Sequence, residues 1–103
     1  MKTGKYAVIG GQYDHFCYGF ADSLHAAKIL ASKCAEYWDN WQGWHIPAVY
    51  AAEDVEPVEN FYGSGYAPRF GAAPVAVKSY GDRAWRTPDR WGGVKYGIRE
   101  EKA

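Results

Sequence analysis

A chain of 103 residues makes one domain, long enough to bury about two-thirds of its unfolded surface without disulfide or metal staples. Hydrophobic residues at 48% exclude a wholly disordered chain, and a net charge of zero argues against both a general duplex-DNA binder and an acidic DNA mimic. The charge is nonetheless split, with four Lys against eight Asp and Glu in residues 1–60 and eight Lys and Arg against four acids in residues 61–103.

The opening Met1-Lys2-Thr3-Gly4-Lys5 leads into only a short apolar run, so the expectation is neither a signal peptide nor a membrane span. Two cysteines, Cys17 and Cys34, make no disulfide framework, and a reducing cytoplasm is the simplest location. Lys5 to Ile9 reads as a strand stopped by Gly10-Gly11, and Phe16 to Phe20 as a second strand in an antiparallel hairpin. Period-two alternation would put Phe16, Tyr18 and Phe20 on one face. The glycine pair is not a nucleotide loop, because neither G-x-G-x-x-G nor a P-loop follows it.

Asp22 or Ser23 supplies an N-cap oxygen for a helix. Leu24, Ala27, Ala31, Cys34, Trp38 and Trp41 then recur at helical spacing as one apolar stripe, which predicts a helix ending between Trp38 and Gly43. That assignment puts Trp38 and Trp41 in the core, and with Trp44 they make three tryptophans within seven residues. Trp44 to Ala52 reads as the next strand, with Pro47 favouring an edge or a strand start. The acidic residues 53–59 read as a solvated turn, and Asn60 to Pro68 as a loop by its Gly, Ser and Pro content. Pro74 to Tyr80 is a plausible fourth strand.

These elements predict an α+β fold: a two-layer sandwich in β-β-α-β-β order, with an antiparallel sheet of three or four strands and one main helix. The domain spans residues 1–80, and residues 81–103 form a C-terminal arm, docked or partly mobile. In the arm, Arg83, Arg86, Arg90, Lys95 and Arg99 interleave with Trp85, Trp91 and Tyr96. Such alternation of cations and π-faces suits single-stranded nucleic acid, and equally suits protein hot spots or a cover for an open sheet face. The echo of Asp82-Arg83-Ala84-Trp85 in Asp89-Arg90-Trp91 is too short to make a repeat architecture.

Catalytic and metal chemistry find little support. His15, His25, His45, Cys17 and Cys34 lack the knuckle or paired-histidine spacing of a zinc site, so no metal and no cofactor is expected. The one enzymatic reading is a nucleophilic Cys17 activated by His15, two residues away on the same strand face, with no orienting carboxylate or oxyanion hole in view. The leading reading is a non-enzymatic module that binds a protein through Trp44, Tyr62, Tyr66, Trp85, Arg86, Arg90 and Trp91. Single-stranded nucleic-acid binding through the arm or an aromatic sheet face is the alternative.

The run Tyr37 to His45, with Ala52-Glu53-Asp54-Val55 and Asn60-Phe61-Tyr62-Gly63, resembles small uncharacterised accessory proteins of bacteriophages and other mobile elements. The resemblance covers about half the chain and carries no fold, activity or site residue. It implies a protein that acts stoichiometrically by occluding a host machine, such as a defence complex, as anti-CRISPR proteins do.

Overall fold

The hairpin at the start of the chain organises everything else. In the computed structural model, which describes residues 4–11, 14–39, 43–78 and 85 (37–39, 43 and 44 by backbone alone), β1 (Tyr6–Gly10) pairs antiparallel with β2 (Phe16–Ala21). A single main helix, α1 (Leu24–Lys33), follows. Then come β3 (Glu36–Asp39), β4 (Gly43–His45), β5 (Ala48–Ala51), a 3-10 turn (Ala52–Asp54), β6 (Val55–Asn60) and β7 (Gly63–Pro68). The fold is α+β with antiparallel strands, in a three-stranded sheet β2-β1-β5 and two hairpins, β3-β4 and β6-β7.

The central sheet is covered on both faces rather than on one. Val8 of β1 and its β5 partner Val49 face α1, where they pack with Ala27, Ala31 and Ala76, all fully buried. Ala7 and Ile9 point the other way and pack with Val55, Tyr50 and Tyr66 beneath the β6-β7 hairpin. Helix, sheet and hairpin thus make three layers where the sequence predicts two. The difference lies in residues 53–68, whose Gly, Ser and Pro content reads as turn and loop. In the structure, β6 and β7 pair in register at every position from Val55↔Pro68 to Asn60↔Gly63. Gly63, at φ +94°, supplies the left-handed residue that lets the two-residue turn Phe61-Tyr62 close with ordinary backbone angles.

A bulge in β2 decides which aromatic ring faces where. Val8 pairs with Gly19 and Ile9 with Cys17, so Tyr18 is the extra residue. Gly19 takes φ +148°, a conformation L-residues rarely adopt. The extra residue reverses the alternation: Cys17 and Phe20 both reach the hairpin side, while Tyr18 packs on the helix side. Phe16, Tyr18 and Phe20 therefore do not form the shared aromatic face expected from strict alternation.

The helix begins as predicted and ends earlier. Ser23 is the N-cap, its Oγ accepting the Ala26 amide at 3.1 Å. Ala27 and Ala31 let the axis lie close to the sheet, flanked by Leu24 and Leu30. The chain leaves the helix at Cys34, whose N–H donates to the Leu30 and Ala31 carbonyls. Trp38 consequently lies in β3 and not on the helical stripe. Glu36-Tyr37-Trp38-Asp39 finds a strand partner in β4, with Glu36 opposite His45 and Tyr37 opposite Trp44, and aromatic residues favour such a pleated pairing over a last helical turn. Trp41 lies outside the described residues.

The predicted strand from Trp44 to Ala52 is broken at Pro47, which is buried between β4 and β5. The predicted fourth strand at 74–80 contributes an antiparallel bridge, Val49↔Ala76, along the free side of β5, and its residues 79–80 lie outside the described residues. The C-terminal arm lies outside the described residues except Trp85, which packs against the helix-side core. Among the described residues, no helix is long and apolar enough to cross a membrane.

Candidate functional site

Two turns at one end of the molecule are tied together by side chains. Asp14, in the β1–β2 connection, accepts the His15 amide through Oδ1 at 2.9 Å and the Phe61 amide through Oδ2 at 3.3 Å. Asn60, at the end of β6, donates from Nδ2 to the His15 carbonyl at 2.8 Å and accepts the Tyr62 amide on Oδ1 at 3.0 Å. Asx side chains commonly stabilise their own turns in this way. Here they also bridge residues more than forty positions apart, and so set the β6–β7 turn against the start of β2.

The bracing holds a row of rings at the surface. Tyr18 and Phe16 meet edge to face with centroids 4.8 Å apart, Phe16 and Tyr62 at 5.4 Å, and Tyr62 and Phe61 at 5.1 Å. T-shaped pairs at these separations are the favoured aromatic geometry. The row is wet along one side: Phe16 is 39% exposed, Tyr62 38% and Phe61 70%. Contiguous exposed apolar surface mounted on a braced turn marks an interaction site more than scattered exposed residues do.

Between the rings lies a small cavity of about 130 Å³ lined by Gly11, Phe16, Tyr18, Glu36 and Tyr62. The Tyr18 hydroxyl shares this lining with the Glu36 carboxylate. Burial, reinforced by that carboxylate, pushes its pKa well above the usual phenol value. Asp14 and Glu36 give this end of the molecule an acidic edge, continued along β6 by the exposed Glu56 and Glu59, the latter accepting the Ser64 hydroxyl at 2.7 Å.

The residues expected to touch a partner are scattered over the fold. Tyr62 belongs to the ring row. Tyr66 turns inward and stacks edge to face on Phe20 at 5.2 Å, between sheet and hairpin. Trp85 lies on the other side of the molecule, where with His25, Lys28, Ile29, Ser32 and Lys33 it lines a broad open groove of about 460 Å³ along α1. Trp44 is in β4, and Arg86, Arg90 and Trp91 lie outside the described residues. Phe16 enters the site in a different setting from the expected three-ring platform, and Phe61 was not anticipated. The available signal for Phe61 was an aromatic pair between Asn60 and Gly63, where a polar turn would be ordinary.

Cys17 is half-buried, its thiol directed at the Gly19 carbonyl 3.7 Å away, and burial raises its pKa. His15 is exposed on the neighbouring turn. That environment favours the thiol over the reactive thiolate. Among the described residues, no three His, Cys, Asp or Glu side chains gather where they could hold a metal ion. No known protein family, no curated protein and no solved structure matches this chain.

Proposed function

We propose that this protein is a non-enzymatic binding module that engages a protein partner through the ring row Phe16–Tyr62–Phe61. One observation carries the reading: three partly exposed rings held edge to face by hydrogen bonds that cross between two distant turns. Rigid, amphipathic aromatics of this kind lose little side-chain entropy on binding and dominate protein hot spots. The acidic edge formed by Asp14, Glu36 and Glu59 repels phosphates, which favours a protein over nucleic acid at this surface. The resemblance to phage and mobile-element accessory proteins extends the proposal to occlusion of a host complex.

The test compares the native chain with the double variant Phe61→Ser, Tyr62→Ser as bait in host extract. A protein that binds the native chain, survives nuclease treatment and is lost with the variant supports the reading. Equal recovery by both baits overturns it.

A second reading has its own observation. The groove beside α1 combines Trp85 with His25, Lys28 and Lys33, the pairing of a ring and cations that single-stranded nucleic acid uses. It requires binding of an oligonucleotide that weakens steeply as salt rises and that Lys33→Glu abolishes.

A further inference from the structure

The cavity inside the ring row differs chemically from the rest of that surface. Phe16, Tyr18 and Tyr62 supply three aromatic walls, Gly11 lines a further side, and Glu36 contributes the only charged side chain among the described lining residues. A cation over aromatic faces is attracted by the negative ring quadrupole, and a carboxylate at the rim adds a charge-assisted hydrogen bond. The volume of about 130 Å³ is far below the roughly 300–1,000 Å³ of cofactor or drug-like pockets and suits the head of one side chain. Tyr18 and Glu36 line the same cavity, which sets that carboxylate beside the rings. Among the described residues lining the cavity there is no Lys or Arg.

From this geometry we propose that the Phe16–Tyr18–Tyr62–Glu36 cavity is a receptor for one cationic side chain, a guanidinium or ammonium group, presented by the protein partner. The inference rests on the protein-binding reading of the same surface and names the chemistry its partner must display. The outer rings Phe61 and Tyr62 then contribute apolar contact area, and the cavity contributes selectivity for a basic residue.

The probe is a blocked glycine pentapeptide with arginine at its centre. The control is the same peptide carrying citrulline, the uncharged isostere of arginine. Both are titrated against the full chain, following the ring resonances of Phe16, Tyr18 and Tyr62. The arginine peptide should shift these three rings saturably with millimolar affinity, and the citrulline peptide should bind at least about tenfold more weakly, the loss expected when a charge-assisted contact becomes neutral. Glu36→Gln should lower affinity for the arginine peptide several-fold, whereas Glu53→Gln, in the 3-10 turn, should leave it unchanged. Equal binding of the two peptides, no shift at these rings, or full affinity in Glu36→Gln overturns the proposal. The two readings fail separately: if Phe61→Ser, Tyr62→Ser abolishes partner binding while Glu36→Gln does not, the surface stands and the cation site falls, whereas equal partner recovery by the native chain and the double variant removes the protein-binding reading itself.

Discussion

Replacing Asn60 with Ala removes both bonds that its side chain makes, one within the β6–β7 turn and one across to the His15 carbonyl. A neutral hydrogen bond contributes about 0.5–1.5 kcal/mol net, and both of these are exposed, so the groups left behind rehydrate and no burial penalty follows. The low end of the range for each gives a loss of about 1–1.5 kcal/mol. In a domain of this size that lowers the melting temperature by roughly 4–12 °C, at about 4–8 °C per kcal/mol. Asn60→Asp separates the two bonds. It keeps an acceptor for the Tyr62 amide, loses the donor to His15 and adds repulsion from Asp14. Urea titrations give the free energies, and amide exchange at Phe61 and Tyr62, with the nuclear Overhauser contact between the Phe16 and Tyr62 rings, reports on the site. Faster exchange and a weakened ring contact in both variants are expected. Unchanged stability together with an intact Phe16–Tyr62 contact in Asn60→Ala would refute the idea that the crossed turns order the ring row.

Three further outcomes follow from the core and its ionisable groups. Val8→Ala removes two carbons from a fully buried site packed under α1, about 1.6 kcal/mol of transfer free energy plus a cavity term, so chemical denaturation should show a loss of about 2–3 kcal/mol. Gly19→Ala should cost about 1–3 kcal/mol through its φ of +148° rather than through crowding, since among the described residues a methyl there meets only Leu30 Cδ2 at 3.4 Å; a neutral result would mean the bulge relaxes. Burial raises the pKa of Cys17, Cys34, Tyr18 and Tyr50 above their ordinary values of 9.0 for Cys and 10.0 for Tyr. The unfolded chain then loses these protons first, so the stability they contribute is intact below about pH 9 and falls as pH rises through the folded values, which melts recorded from pH 7 to 11 should show.

Local signals in the chain identify the first hairpin, the Ser23 cap and the Ala27–Ala31 packing face, because each depends on neighbours within one turn or one strand. The end of α1 is not legible in the same way. Trp38 and Trp41 happen to continue the helical spacing, and the competing partner Gly43–His45 becomes decisive only when β3 and β4 pair. The direction of Tyr18 depends on a bulge set by the register between β1 and β2, a relation that alternation within β2 alone cannot express. Strand β7 is hidden by Gly63, Ser64, Gly65 and Pro68, whose weak strand preference is overridden by pairing with β6 along its whole length. The ring row inherits both difficulties. It assembles Phe16 from one hairpin with Phe61 and Tyr62 from another, and the bonds of Asp14 and Asn60 that join them are tertiary.

The most direct test of the binding account places a photo-crosslinking benzoylphenylalanine at position 61 of the full chain in host cells, with a matched substitution at Glu53 as the control. The account predicts a discrete adduct from position 61 alone that is destroyed by protease, resists nuclease and disappears when Phe16→Ala is added. An adduct of equal yield from position 53, a nuclease-sensitive adduct, or none at all would contradict it.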